Sequence, residues 1–407
     1  MKGRIGSPRK YDAIIVGGGP AGCSTALYCA RKGFNVLLIE KERFPRDKVC
    51  GDGLSGKTAG ILKELGLWEK VAKLPHGPGN GAILSSPKGV ELEVSAPSTG
   101  YVCRRLYFDE MLFKEAKKRV EAKEGWRAVD LLWENGKVVG VRASGEGKEE
   151  NFYADVVVGA DGAGSIVASK VGQGRSDPEH SVVAVRCYFD NVKGLRDKIE
   201  IHFVDELLPG YFWIFPIGGK KANVGVGMLL KDQRDKKVDL RKALEAVMAS
   251  PKFKERFAKA KQIGKFEGWG LPLATMPRKR HGNGYLLVGD AGSMIDPFTG
   301  EGIGNALLTG KLAAETIAEA KRKGDFSSNS LKVYSELIEE ELGEEIRVMH
   351  NLQKAGRHKW LLNMVFDKAS KNPELKQFIT SSIVEQNASE GKKRLLSPEF
   401  LLKVLLS

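Results

Sequence analysis

Residues 11–40 read YDAIIVGGGPAGCSTALYCARKGFNVLLIE. Ala13 to Val16 is a short apolar run, the pattern of a strand buried on both faces. Gly17, Gly19 and Gly22 follow it directly in the spacing Gly-x-Gly-x-x-Gly. A helical stretch from Cys23 to Lys32 comes next, closed by Gly33, and a second strand from Asn35 to Ile39 ends at Glu40. Together these make one strand–helix–strand unit of about 30 residues. Gly17 permits the tight turn, Gly19 lets backbone approach a pyrophosphate, and Gly22 lets the helix pack close to the strand. The positive end of the helix dipole faces the phosphates. Glu40 stands where a carboxylate accepts hydrogen bonds from ribose hydroxyls. The unit reads as a dinucleotide site and by itself leaves NAD and FAD both open.

The chain around it has 407 residues, enough for a large core and two or three lobes. Hydrophobic content of 42% and charged content of 29% are those of a soluble globular protein. The net charge of +14 suits nucleic acid, an anionic membrane or an anionic small molecule, and equally the charge-rich surface of a hot-adapted protein. Five cysteines, Cys23, Cys29, Cys50, Cys103 and Cys187, are scattered and never spaced Cys-x-x-Cys. That pattern argues against a zinc site or a disulfide framework and for a reducing cytoplasm. No histidine pair has metal-ligand spacing, so no metal is expected. Residues 1–19 show no secretory core, and no run of about 18 apolar residues suggests a spanning helix.

Two later motifs decide between the dinucleotides. Residues 153–165 read YADVVVGADGAGS, and residues 285–304 read YLLVGDAGSMIDPFTGEGIG. They resemble the strand-plus-Asp-Gly and Gly-Asp motifs of the aromatic-hydroxylase-like flavoproteins, and with the fingerprint they imply FAD. Within that superfamily the chain resembles the geranylgeranyl reductases, on KVCGDGLSG at 48–56, PGYFWIFP at 209–216 and NVGVGM at 223–228. The resemblance implies an α/β fold. A discontinuous Rossmann-type FAD-binding domain would span 1–175 and 280–325, an antiparallel substrate sheet 176–279, and a helical region 326–407. It implies reduction of C=C bonds in geranylgeranyl chains of archaeal lipid precursors or of geranylgeranyl diphosphate. Further implied contacts to FAD are Ala21, Gly51, Asp52, Arg105, Val129, Asp290, Gly302 and Ile303. Cys50 is placed beside the flavin as the catalytic candidate. The partners implied are a prenyl lipid or diphosphate and an electron donor, NAD(P)H, a ferredoxin or a deazaflavin; nucleic acid is not among them.

The residues themselves support parts of this. Cys50 lies in a glycine-flanked loop that can bring a thiol near a ring, and is otherwise a small buried hydrophobe. Asp290 at the end of a buried strand needs a polar partner, which a ribityl hydroxyl provides. The helix expected over Asn305 to Lys321 aims its N-terminus at the same place. Tyr211, Trp213 and Phe215, spaced by two in the LPGYFWIFP stretch at 208–216, share one face of a strand. They form either ordinary core or a dry wall for a long apolar substrate. Strands are expected over 182–190, 199–204, 211–217 and 222–229. The basic run at 277–281 reads as a solvated loop, or as a contact for a lipid phosphate.

The closing SPEFLLKVLLS, after the basic GKKRLL, reads as a capped helix. It either packs back on the protein or lies on a membrane surface, the inner face of the cell membrane. Two rival functions share the scaffold. A flavin-dependent monooxygenase or halogenase would use oxygen, and no WxWxIP halogenase signature occurs. A prenyl-lipid-binding flavoprotein would bind lipid without reducing it.

Overall fold

The computed structural model describes residues 10–95, 100–174 and 176–376. The terminal stretch at 391–407, with its expected surface helix, lies outside the described residues.

The opening unit folds as its pattern requires: β1 (Lys10–Val16), α1 (Pro20–Arg31) and β2 (Val36–Glu40). Helix α1 begins three residues ahead of the expected start, because Pro20 fits the first turn, where no N–H is needed. β1 sits between two parallel neighbours: Ala13 pairs with Val156 on Lys148–Gly159 and with Val36 on β2. Tyr285–Leu287 extends the parallel sheet on one side and Glu121–Glu124 on the other. An antiparallel meander, Arg127–Glu134 and Lys137–Gly145, branches from the strand at 148–159. The central strands are buried on both faces, which is why they read as unbroken apolar runs.

Helix α1 packs against the long helix Ile303–Lys323, which ends on Gly324 in the left-handed region (φ +68°). The two helices approach so closely that a Cβ on Gly310 would stand 2.5 Å from the Ala21 carbonyl oxygen. Ser24 Oγ donates to the Leu307 carbonyl at 2.6 Å across the same seam.

The second sheet has seven strands, in the order 261–272, 181–190, 221–229, 211–218, 199–202, 81–85, 91–95. Two features differ from the expectation. Gly81–Ser85 and Glu91–Ser95 join from outside 176–279, and Ile199–His202 pairs with Gly81–Ser85 in parallel, so the sheet is mixed. Nothing local in 81–95 announces this: the pairing joins residues more than a hundred positions apart, and period-2 patterning names a strand without naming its partner. The strand expected over 199–204 stops at His202, where a short 3-10 turn at Asp205–Leu207 redirects the chain.

From Ser328 to Lys371 the chain is helical. The helix Lys359–Lys371 lays Leu362, Val365 and Phe366 toward the second sheet. No helix among the described residues is long and apolar enough to cross a membrane.

Candidate active site and cofactor cradle

The two sheets enclose one large cavity of about 1210 Å³. One wall is the C-terminal edge of the parallel sheet. There Gly17 holds φ +108°, and a Cβ would meet the Ala160 carbonyl oxygen at 2.4 Å. A Cβ on Gly22 would stand 1.8 Å from the Gly17 oxygen, so only glycine lets α1 start here. At Gly19 the nearest atom is Arg46 Nη2 at 3.7 Å, and the space beside it is open cavity. Gly19 is also the N-cap of α1 with no side chain capping it, so the first-turn N–H groups face that space.

Glu40 closes this end. Its carboxylate accepts from the Gly18 N–H at 2.6 Å and the Glu42 N–H at 2.9 Å, and it lines the cavity. Arg46, above Gly19, is held by Asp109 at 2.7 Å. Arg105 clasps the same carboxylate through Nε at 2.5 Å and Nη2 at 2.7 Å. Asp109 is fully buried. Burial pushes its carboxyl up, but the two guanidiniums more than offset that and hold it below the usual range. The Asp290 side of the cavity has a second uncapped helix start, Gly302, with Asp290 Oδ1 3.8 Å from where its Cβ would be.

These features fit FAD. Two uncapped helix N-termini, a glycine with open space at its Cα and a carboxylate at the end of β2 are the donors, clearance and acceptor that a pyrophosphate, a flavin pyrimidine edge and a ribose demand.

Of the expected site residues, the cavity is lined by Gly17, Gly19, Ala21, Glu40, Cys50, Gly51, Arg105, Asp290, Gly302, Ile303, Tyr211, Trp213 and Phe215. Three expected residues lie off it. Gly22 is packed under the turn. On the strand at 127–134 it is Arg127 and Ala128 that line the cavity, not Val129. Asp52 is turned inward by its left-handed backbone (φ +69°) and is wholly buried. Its carboxylate accepts from Tyr188 Oη at 2.7 Å, Asn223 Nδ2 at 2.8 Å and the Arg105 N–H at 3.3 Å. Burial still pushes its pKa up to about 6.

The second wall is the sheet face. Phe212 and Ile214 point into the core between the sheet and the helices at 240–257, while Tyr211, Trp213 and Phe215 point into the cavity. The neighbouring strand explains how three large rings fit. Tyr211 pairs with Gly227, Trp213 with Gly225 and Phe215 with Asn223. Val224, Val226 and Met228 take the opposite, core face. The sequence NVGVGM is thus a strand with one face emptied for the aromatics.

Sequence reasoning missed Asn223, a wholly buried side chain that joins the two walls. Its Nδ2 donates to the Cys50 carbonyl at 2.7 Å and to Asp52, and its Oδ1 accepts from Trp213 Nε1 at 3.0 Å. The motif containing it was visible; its partners Cys50 and Asp52, more than 170 positions away, were not. Cys50 itself is half-buried, receives the Asp52 N–H on Sγ at 3.3 Å, and has its thiol pKa raised by burial.

One cross-strand row spans the whole wall: Glu267, Arg186, Gly225, Trp213, Ile201, Leu84, Leu92. It begins with an ion pair, Arg186 to Glu267 at 2.8 Å, and ends in aliphatic side chains. Beyond Tyr211 the aromatics continue as Phe203, then Phe298 and Phe366, at centroid spacings of 6.1–6.5 Å. The cavity is polar at one end and apolar at the other.

The run at 277–281 does not line the cavity; Pro277 and Lys279 are exposed as in a solvated loop, while Arg278 and Arg280 turn inward. Arg278 donates to the Ala291 carbonyl at 2.9 Å and Arg280 to that of Gly292 at 2.8 Å. These arginines hold the turn at 289–293 that carries Asp290.

The chain matches the FAD binding domain family over residues 10–337. It is 34% identical over 349 residues to digeranylgeranylglycerophospholipid reductase 2 of Methanococcoides burtonii, covering 83% of this chain and 82% of that one. It is 33% identical to a menaquinone reductase of Mycobacterium tuberculosis, covering 75% and 76%. A crystal structure of a geranylgeranyl bacteriochlorophyll reductase-like protein from Thermoplasma acidophilum superposes with a TM-score of 0.82 at 26% identity, covering 98% and 97%. The chain therefore belongs to the FAD binding domain family and, within it, to the geranylgeranyl reductase group.

Proposed function

We propose that this protein saturates C=C bonds of a long isoprenoid chain attached to a polar head. The observation that carries this is the continuous cavity, running from the glycine cradle past Cys50 and the aromatic wall to an aliphatic end. FAD, when bound and reduced by the donor, would supply the hydride for one alkene carbon, and water or the neutral Cys50 thiol would supply the proton for its neighbour, two hydrogens being added per double bond.

The chain's own residues perform the rest. Gly19 and the α1 N-terminus hold the pyrophosphate, Glu40 the ribose, and Asp290 with Gly302 and Ile303 the flavin end. Tyr211, Trp213 and Phe215 press the isoprenoid into place. Each buried CH₂ contributes about 0.8 kcal/mol, so the chain binds mostly by burial. An isolated alkene is a poor hydride acceptor, so alignment and exclusion of water supply much of the rate. Cys50 stands at the cavity wall beside Gly51, which abuts Phe215, and holds a neutral thiol there. Membrane lipid precursors are the substrate class we favour, reached from the membrane surface. Likeness to a menaquinone reductase supports a second carrier, an isoprenoid quinone.

The test is anaerobic. The holoprotein is reduced with dithionite, given geranylgeranyl lipids or a polyprenyl quinone, and the products are weighed. Gains of two mass units per step on one carrier identify it; no gain on either ends the proposal. NADPH, reduced ferredoxin and reduced deazaflavin, supplied separately in place of dithionite, identify the donor. Cys50→Ala with unchanged turnover and product distribution would reduce the thiol to packing.

A further inference from the structure

Among the described residues, Lys48 is the one cavity-lining cation near Cys50 for which no ion pair forms. Arg46 and Arg105 share Asp109. Arg186 is spent on Glu267 at 2.8 Å and Asp47 at 3.3 Å, and Arg104 also reaches Asp47. Among the described residues the Lys48 ammonium forms no ion pair; it lies over the Trp269 ring, 3.8 Å from the centroid. Both residues line the cavity at its polar end, and Trp269 is 38% exposed, so this end opens toward solvent. Burial lowers the Lys48 pKa to about 8, with Asp290 opposing the shift. An ammonium taken from water without a counter-charge is costly, so this corner is suited to an anion.

We propose that Lys48 and Trp269 form the subsite for the phosphate ester of the isoprenoid substrate, with the chain running from there along the row to Leu92 and Phe366. This rests on the reading of the cavity as an isoprenoid site and fixes the direction in which the substrate lies. The lysine donates charge-assisted hydrogen bonds to phosphate oxygens. The Trp269 face holds the ammonium in place by cation–π attraction. Glu267 adds little repulsion, because Arg186 already neutralises it.

The test uses the full holoprotein and ligands that cannot be reduced. Dissociation constants are measured for phytanyl phosphate, phytanyl diphosphate, a phytanyl-glycerol phosphate and uncharged phytanol, against wild type, Lys48→Met and Trp269→Phe. Wild type should prefer the phosphorylated chains by about tenfold or more, the range of a partly buried charge-assisted contact. Lys48→Met should bring that ratio to about one without changing FAD content. Trp269→Phe, which keeps a ring face, should retain most of it. Comparing the three phosphorylated ligands shows whether the ester is a lipid head or a prenyl diphosphate. An unaltered ratio in Lys48→Met, a wild type indifferent to phosphate, or loss of FAD with the ratio intact would each overturn the assignment. If the ratio collapses as expected but no alkene is ever reduced by wild type, the subsite stands and the reductase reading falls.

Discussion

Gly225 lies directly across the strand pair from Trp213, and a Cβ at 225 would stand 2.3 Å from Cζ2 of the indole. The aromatic wall therefore depends on a missing side chain as much as on those present. Gly225→Ala should force the indole into the cavity, at a cost in stability of about 1–3 kcal/mol. Its clearest sign should be weaker binding of a twenty-carbon chain with unchanged FAD content. Titration with phytanol, followed by tryptophan emission, checks this; wild-type affinity and emission would show that the wall repacks freely.

The fingerprint glycines separate folding from cofactor binding. At Gly22 an added methyl meets the Gly17 oxygen at 1.8 Å, and at Gly19 it meets nothing nearer than 3.7 Å. Gly22→Ala should cost the apoprotein about 3 kcal/mol. Gly19→Ala should leave apoprotein melting within the range of a neutral change while weakening FAD about tenfold, since its methyl enters space the phosphates need. Melting of apoprotein and flavin fluorescence titration give the two readouts.

Asp52 makes stability depend on pH. Its carboxyl, raised from 3.8 to about 6 by burial, binds a proton more tightly folded than unfolded. Tyr188, Asn223 and Arg186 oppose the shift and Asp47 adds to it. The stabilisation is therefore fully present below about pH 4 and is lost as pH rises through about 6, by roughly 3 kcal/mol. Asp52→Asn, tolerated at a left-handed position, should flatten this segment of the melting curve between pH 4 and 7. A slope equal to that of wild type would reject the assignment.

Asn223 and Asp52 should be exchangeable only in part. Asn223→Asp turns two donors into an acceptor facing the Asp52 carboxylate and the Cys50 carbonyl, which destabilises the loop. Adding Asp52→Asn restores a hydrogen bond between the two side chains, so melting should recover. The Cys50 carbonyl still faces a carboxylate, whose charge raises the thiol pKa further, so alkylation of Cys50 by iodoacetamide should stay slower than in wild type. Recovery of both properties together would mean that Asn223 only supports the fold.

What the sequence determined by itself was local. The dinucleotide unit, the glycines that shape it, Glu40 and the alternation of Tyr211, Trp213 and Phe215 were legible because each follows from spacing within one strand, turn or helix. The motifs at 153–165 and 285–304 carried the choice of FAD through resemblance. Tertiary structure alone decided which residues meet. Asn223 joins Cys50 to Trp213, Leu84 and Leu92 extend the wall from a distant segment, and among the described residues Lys48 forms no ion pair while Arg46, Arg105 and Arg186 do. The reason is physical: periodicity records which face of an element is buried, while the partner across that face is fixed only when the whole chain closes around the cavity.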